Sequence, residues 1–372
     1  MKKQIRQRLW AALALLFPIC GTGLAQITYS VSGRIDDPEA EGRKVYLQLY
    51  DTFQVIDTAV VHNRQFRFEG TAERSYAARV DIDGIRGYAN FVLEDSVVID
   101  FGKHLPQSGG PLTDKYLAFE EEISRHTKEW RKATLEPAGD ITDKAAWAAR
   151  KKAALDTLYA RTAPVCRKWI MSEADNGVGE WAWRYYVTEF ACTPAAAKEL
   201  YPHFSPLLRN LNFTKQNMKL FAALENTSAG RPFVEVEGQD INGNPARLSD
   251  YLGKGKYVLV DFWAQWCGPC RQEAQEYLKP LWEKYKDSDL TLLSIAVWDP
   301  VELTRKAIGE QGYTWPQIVD AGKKPMEQYG FDGIPHILLI APDGTILARN
   351  LRGEAIEAEI LKHIHPSPAS RP

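Results

Sequence analysis

Cysteine and basic tracts are both scarce in this chain, and their scarcity excludes several classes of protein. Five cysteines among 372 residues are too few for a small secreted scaffold held together by disulfides. The formal net charge is −2 and no run of basic residues occurs, which argues against nucleic acid and anionic lipid as partners. The chain is therefore expected to be globular, with each of its few cysteines considered separately.

The first 25 residues are predicted to be an export signal. Four basic residues precede the apolar stretch 9–17, and small residues at Gly23 and Ala25 form a cleavage site. The stretch is short for a membrane span and is interrupted at Pro18, although an uncleaved membrane anchor is the alternative. Removing the signal takes the formal charge from −2 to −6, because it carries four positive charges and no negative one. A periplasmic or cell-envelope location is therefore expected, for a mature chain of two or three domains.

Residues 26–105 alternate between apolar and polar side chains with the period of β-strands. Val45 and Leu47 alternate with polar neighbours, and Phe66 and Phe68 flank Arg67. Turn residues separate these runs at nearly regular intervals. The pattern predicts a small antiparallel β-sandwich of six to eight strands. No catalytic group of residues occurs in it, so a structural or partner-docking role is expected.

A break at residues 106–111 is followed by apolar residues at helical spacing. Residues 111–226 are predicted to be an all-α region of four to six helices. Cys166 and Cys192 lie in this region, each at the apolar edge of a helix. They form either a structural disulfide or two separate buried thiols, and neither has the surroundings of a reactive cysteine.

A second cysteine pair lies where a predicted strand meets a predicted helix. Residues 257–263 have the apolar character of a strand buried on both faces, and Cys267 and Cys270 follow with Gly268 and Pro269 between them. The free N–H groups and the positive end of the helix dipole favour a thiolate at this point. The pair is therefore predicted to be a redox centre. No other cysteine pair completes a zinc site, so no metal is expected.

The segment DFWAQWCGPC at residues 261–270 resembles the active-site segment of thioredoxins, and its context resembles the ResA/TlpA group of envelope thiol:disulfide oxidoreductases. The resemblance implies that residues 231–365 form an α/β thioredoxin-like domain without a cofactor. Alternating strands and helices in this stretch independently predict a mixed sheet with helices on both faces. Residues 366–372 are expected to be disordered.

Cys267 is predicted to be the nucleophile and to face solvent, and Cys270 is predicted to be the shielded resolving cysteine. Asp261 lies on the buried strand, where poor solvation should raise its pKa and let it take a proton from Cys270. The strand over residues 290–297 lacks the lysine that thioredoxins offer as a partner for this acid. Glu273 matches a glutamate of ResA-like proteins and is either a second proton carrier or a solvated helix residue.

The segment Gly333-Ile334-Pro335-His336 resembles the cis-proline loop that faces the cysteines in thioredoxins. The resemblance implies a cis bond before Pro335 and a backbone at Ile334 that pairs with an extended substrate. We expect four residues to contact the substrate: Trp266, Gly268, Pro269 and Ile334. His336 is expected to be a satisfied polar side chain at the start of a strand rather than a modulator of the thiolate. The helix after the cysteines lacks the family's proline at Gln275, so its bend is expected nearer Pro280.

Three functions remain open. The first is reduction of protein disulfides, with protein thiols as substrates and a membrane-bound electron donor. The second is oxidation or isomerisation at the same site. The third is a partner-binding module whose cysteine pair is incidental.

Overall fold

The computed structural model describes residues 26–135, 144–190 and 192–364. The predicted export signal and the predicted disordered tail lie outside these residues. The chain divides into two compact units. One unit ends at Glu129 and includes Asn176–Trp181, and the other comprises Trp130–Asp175 and the chain from Ala182 onward.

The first unit contains two four-stranded sheets with one shared hydrophobic core. The predicted alternation is observed, since Val45 and Leu47 are buried while Arg67 is exposed between the buried Phe66 and Phe68. The sheet orders are β4-β1-β7-β8 and β3-β2-β5-β6, and both sheets contribute to the core. The strands are β1 (Ile27–Arg34), β2 (Lys44–Leu49), β3 (Val55–Val60), β4 (Gln65–Ala72), β5 (Ala77–Ile82), β6 (Ala89–Val92), β7 (Val97–Asp100) and β8 (Pro106–Ser108).

Two features of this unit differ from the prediction. Strand β1 pairs with β7 in parallel, with Val31 opposite Val97, so the sheets are not wholly antiparallel. Alternation determines which face of a strand is buried but not the direction of its neighbour. Strand β8 lies within the predicted break, and it is an edge strand, where the missing N–H of Pro106 is tolerated.

Six α-helices occur between residues 111 and 226 among the described residues, at the upper end of the prediction. Two of the shorter ones begin at a hydroxyl N-cap followed by proline, with Thr193 and Ser205 as caps. No helix in the described part of the chain is long and apolar enough to cross a membrane. The helices are α1 (Pro111–Leu135), α2 (Lys144–Ser172), α3 (Gly177–Thr188), α4 (Pro194–Leu200), α5 (Pro206–Asn210) and α6 (Asn212–Asn226).

The remainder of the chain forms a five-stranded mixed sheet, as predicted. A short hairpin, β9 (Glu237–Gln239) and β10 (Pro245–Arg247), precedes it. The sheet order is β13-β12-β11-β14-β15, and β14 alone runs antiparallel to the other four strands. Its elements are β11 (Tyr257–Trp263), α7 (Gly268–Glu273), α8 (Lys279–Tyr285), β12 (Leu290–Ala296), α9 (Val301–Gln311), β13 (Gln317–Ile318), α10 (Lys324–Tyr329), β14 (His336–Ile340), β15 (Ile346–Arg349) and α11 (Glu354–Ile360).

Strand β11 is the centre of this sheet, and all but its first residue are buried. Separate hydrophobic clusters lie on its two faces. A π-helical turn, Ala274–Leu278, joins α7 to α8, and Pro280 lies in the first turn of α8. The irregularity therefore includes Gln275 and ends before Pro280, and a bend displaced toward Pro280 stays a prediction. The last helix, α11, ends at Ile360.

Arg349, at the end of β15, connects the sheet to helix α6. Its guanidinium donates to the carbonyl of Thr227 at 2.9 Å and to the carbonyl of Tyr329 at 2.7 Å. It also lies 3.1 Å from Nε2 of His336. The helix packs closely here, because a Cβ on Gly330 would lie 2.3 Å from the backbone nitrogen of Leu224.

Candidate active site

The two cysteines of the predicted redox centre form a disulfide at the start of helix α7. Cys267 is the N-cap residue, and Cys270 lies in the first turn, with 5.3 Å between their Cα atoms. The backbone N–H of Cys270 donates to Sγ of Cys267 at 3.1 Å. Pro269 occupies an early helix position, where its missing N–H costs nothing. When the disulfide is reduced, this N–H can stabilise a thiolate on Cys267.

The expected difference in exposure between the two cysteines is absent. Cys267 is 4% exposed and Cys270 is 2% exposed, so the prediction that Cys267 faces solvent is wrong for the disulfide form. The carbonyl oxygen of Ile334 lies 3.7 Å from Sγ of Cys267 and shields it. Gly268 and Pro269 are exposed, so the disulfide borders solvent at the turn between the cysteines.

The predicted cis-proline loop lies against the disulfide. The bond between Ile334 and Pro335 is cis, as expected, and Pro335 is buried. Ile334 is half-buried and packs against the hydrophobic clusters on both faces of the sheet. The loop thus lies where a substrate at Cys267 would meet it, and pairing of Ile334 with substrate stays a prediction.

Asp261 is buried on β11 and takes part in a chain of hydrogen bonds. Ser294 lies opposite it on β12 and donates its hydroxyl to the carboxyl group at 3.0 Å. The indole N–H of Trp315 donates to the same serine oxygen at 2.9 Å, so the serine proton is directed toward Asp261. Burial raises the pKa of Asp261 to about 7, although the serine hydrogen bond opposes the rise.

Two charged residues act on Asp261 with opposite signs. The positive charge of Arg352 lowers the pKa of Asp261, and the negative charge of Glu273 raises it. Glu273 is held in place, because its Oε1 accepts a hydrogen bond from the N–H of Gly353 at 2.5 Å. Glu273 therefore ties the loop before α11 to the helix that carries the cysteines, in addition to its electrostatic effect.

Sequence reasoning missed Ser294, Trp315 and Arg352. The absent lysine indicated that Asp261 lacked its usual partner, but it did not indicate the replacement. Ser294 could have been found from the parallel register of β11 and β12. Arg352 follows β15 and approaches through the loop that precedes α11, for which no sequence spacing gives a signal.

His336 lies at the start of β14 and its ring is packed and hydrogen-bonded, as expected of a satisfied polar side chain. Burial lowers its pKa to about 3, and the charges of Arg349 and Arg352 lower it further. Its ring stacks on Phe331 with centroids 4.4 Å apart. Because Arg349 can only donate, the Nε2 atom of His336 accepts its hydrogen bond.

Cys166 and Cys192 are both buried thiols in the structure, which is the second of the two predicted alternatives. Burial raises the pKa of Cys192 to about 12. No group of three or more histidine, cysteine or acidic side chains in the described residues is arranged to hold a metal ion.

Comparison with known proteins shows which proteins this chain resembles. Residues 229–349 match the AhpC/TSA family, and residues 29–116 match a domain of unknown function, DUF4369. The thiol-disulfide oxidoreductase ResA of Bacillus thuringiensis (strain Al Hakam) is 28% identical over 149 residues, covering 39% of this chain and 84% of the relative. The thioredoxin domain of a Bacteroides vulgatus thiol-disulfide oxidoreductase is 35% identical, with a TM-score of 0.35, covering 37% of this chain and 99% of that domain.

A further relative places the chain in a family. The thiol-disulfide oxidoreductase ResA of Geobacillus kaustophilus (strain HTA426) is 30% identical over 125 residues, which cover 34% of this chain and 70% of the relative. Through its C-terminal part, this chain belongs to the ResA family of thiol-disulfide oxidoreductases.

Proposed function

We propose that this protein is exported and reduces disulfides of other proteins through a cycle between the Cys267–Cys270 disulfide and its dithiol. The observation that carries the proposal is the placement of that disulfide at a helix start, against the loop at Ile334 and beside a buried acid, Asp261. The first 25 residues support export, and electrons would then have to come from a membrane-bound donor.

The first step forms a mixed disulfide. The thiolate of Cys267 attacks one sulfur of the substrate disulfide, the substrate S–S bond breaks, and the released substrate thiolate takes a proton from solvent. The backbone N–H of Cys270, which already donates to Sγ of Cys267, stabilises the thiolate before the attack.

The second step resolves the mixed disulfide. Asp261 takes the proton of Cys270, whose thiolate attacks Sγ of Cys267 and releases the second substrate thiol. The leaving substrate sulfur takes this proton from Asp261, while the proton that the other substrate sulfur took from solvent replaces the one that Cys267 lost to solvent on forming its thiolate. The net result transfers two electrons and two protons from the dithiol to the substrate and leaves the disulfide seen here. A pKa of about 7 suits Asp261 to this role, because it can gain and lose a proton near neutral pH.

The residues between the cysteines favour reduction over oxidation. Strongly oxidising proteins of this kind stabilise their reduced form, which a histidine between the cysteines can do. Here the residues are Gly268 and Pro269. We expect a reduction potential near that of thioredoxin, roughly −270 mV, rather than the roughly −120 mV of a strong oxidase. That gap corresponds to about 7 kcal/mol for two electrons.

Equilibration of the full chain with dithiothreitol or glutathione, followed by thiol quantification, measures this potential. The matched variant Pro269→His should have a higher potential, because histidine stabilises the thiolate. A wild-type value above about −150 mV would contradict the reductase proposal and favour an oxidase. If the chain failed to reduce insulin, whatever its reduction potential, the partner-binding module would be favoured instead.

Residues 26–105 are proposed to form a β-sandwich with a structural or partner-docking role. Its two sheets share one core, and the candidate redox chemistry lies elsewhere in the chain.

A further inference from the structure

Two tryptophans form an exposed corner next to the disulfide. Trp266 directly precedes Cys267, and Trp298 follows strand β12. Their ring centroids are 5.4 Å apart and the ring planes meet at 86°. Trp266 is 49% exposed and Trp298 is 47% exposed. Neighbouring exposed aromatic rings are uncommon on a surface that contacts only water, and they often mark binding sites.

The backbone holds Trp298 in a conformation that a bulky residue seldom adopts. Its φ angle is 56°, in the left-handed region that disfavours large side chains. Three hydrogen bonds maintain it. The N–H of Trp298 donates to Gly322 at 3.0 Å, and the indole N–H of Trp266 donates to the carbonyl of Trp298 at 3.3 Å. The N–H of Gln265 donates to Asp299 at 2.7 Å. The loop after β12 is thus fixed to the segment before Cys267, and strained residues of this kind concentrate at functional sites.

Lys323 places a positive charge next to the two tryptophans of this corner. The ammonium group of Lys323 lies 4.1 Å from the centroid of the Trp298 ring, and its side chain is exposed. Within the described residues, no carboxylate forms an ion pair with Lys323. A lysine held over a ring in this way is placed to meet a carboxylate from outside.

We propose that Trp266, Trp298 and Lys323 select the substrate by binding an extended polypeptide that carries an apolar ring and a carboxylate next to its reacting cysteine. The inference rests on the proposed function, since it concerns the substrate of the same site. Two rings at a right angle offer two apolar faces that bracket a third ring or a proline. The position of Trp266 beside Cys267 brings such a side chain to within a residue or two of the sulfur under attack.

The test uses four short peptides, each joined through its cysteine to 2-mercaptoethanol by a disulfide. The two residues before the cysteine are Asp-Tyr, Asn-Tyr, Asp-Ala or Asn-Ala. The reduced full chain is mixed with each peptide, and the rate constant of its oxidation is measured by acid quenching and chromatography. Because every protein variant meets the same four peptides, differences in their intrinsic reactivity cancel.

Three variants separate the contributions. Trp298→Gly removes the ring without straining the loop, since glycine adopts a left-handed backbone freely. Lys323→Gln removes the charge, and Lys324→Gln is the matched control, an exposed lysine one residue away. We expect the wild-type preference for tyrosine over alanine to fall about fivefold in Trp298→Gly. The preference for aspartate over asparagine should fall about threefold in Lys323→Gln, and both should persist in Lys324→Gln.

Equal preferences in wild type, Trp298→Gly and Lys323→Gln would overturn the proposal while leaving the reductase function intact. Binding of S-methylated, fluorescein-labelled forms of the peptides to the oxidised full chain, followed by anisotropy, needs no chemistry. If the chain bound the peptides selectively but reduced none of the peptide disulfides, the proposed binding surface would be supported and the reductase function would be contradicted. A wild-type dimer that Trp298→Gly converts to a monomer would show that the corner joins two copies of the chain, and would also overturn the proposal.

Discussion

The helical region and the sheet region each contain a pair of buried cysteines, and only one pair has the surroundings that exchange requires. Cys166 and Cys192 are 0% and 7% exposed, and Cys267 and Cys270 are 4% and 2% exposed. Burial therefore does not distinguish them. Cys166 lies inside α2, whereas Cys267 caps the start of α7 and accepts an N–H. Cys192 precedes the N-cap Thr193 of α4 by one residue. We therefore propose that the N-cap position itself, rather than exposure or nearness to a helix start, distinguishes Cys267 as the exchanging cysteine.

The largest expected effect comes from replacing the cysteines themselves. Cys267→Ser should lower disulfide reduction by at least about 10³-fold, because serine cannot form the mixed disulfide. Cys270→Ser should instead accumulate covalent complexes with substrate, because the resolving thiol is missing. Insulin reduction and non-reducing gel electrophoresis measure the two outcomes.

Cys166→Ala and Cys192→Ala are the matched controls and should retain activity. Alkylation of the reduced protein below pH 7 should label Cys267 before the other three. Labelling of Cys192 as rapid as that of Cys267 would contradict the comparison, since burial raises the pKa of the Cys192 thiol to about 12.

A smaller effect is expected at Asp261, the buried acid on β11. Asp261→Asn should slow resolution of the mixed disulfide about 10²-fold, because the variant cannot accept the proton of Cys270. Rapid quenching of single turnovers would show the mixed disulfide persisting. An unchanged resolution rate would exclude Asp261 as the base.

The same substitution should stabilise the folded protein at neutral and alkaline pH. The pKa of Asp261 is raised by folding from 3.8 to about 7, so the folded state holds a proton that the unfolded state has lost between these values. The contribution of Asp261 to wild-type stability therefore falls as pH rises from about 4 to about 7, by roughly 4 kcal/mol in total, and the stability of Asp261→Asn relative to wild type should rise by that amount. Denaturant unfolding of the oxidised protein across this range measures the difference.

His336 contributes with the opposite sign. Its pKa is lowered by folding from 6.5 to about 3, so the unfolded state binds the proton more readily and stability rises with pH between these values. In Asp261→Asn this rise should remain visible below pH 6.5. A flat profile in the variant would contradict the buried, neutral assignment of His336.

The smallest effects are expected from variants that shift the pKa of Asp261 without replacing it. Arg352→Gln should raise the pKa of Asp261, because a nearby positive charge is lost, and Glu273→Gln should lower it. Carboxyl-carbon NMR of labelled aspartate would follow both shifts. We expect the rate at which the mixed disulfide is resolved near pH 7 to change only a few-fold in each variant. If both variants shifted the pKa of Asp261 in the same direction, the two charges would not act directly on Asp261.

Local patterns in the sequence predicted much of this structure. The buried strand β11, the helix start at Cys267 and the alternation around Val45 each depend on neighbouring residues, and all three are observed. The parallel pairing of β1 with β7 and the approach of Arg352 to Asp261 depend on segments far apart in sequence. The shielding of Cys267 by Ile334 is of the same kind. Periodicity contains no information about such contacts and could not predict them, and the resemblance to thioredoxins indicated only that the loop at Ile334 faces the cysteines.

The bonds of Arg349 bear on where the redox domain can be separated from the rest of the chain. A fragment starting at Arg231, the boundary that sequence suggested, would lack Thr227 and all of helix α6. The guanidinium would lose two of its acceptors on Thr227, and the backbone around Gly330 would lose the helix packed against it. Since the same guanidinium bonds to His336 beside Pro335, truncation would disturb the loop that covers the disulfide. A shortened protein intended to preserve native exchange kinetics should begin before Asn212.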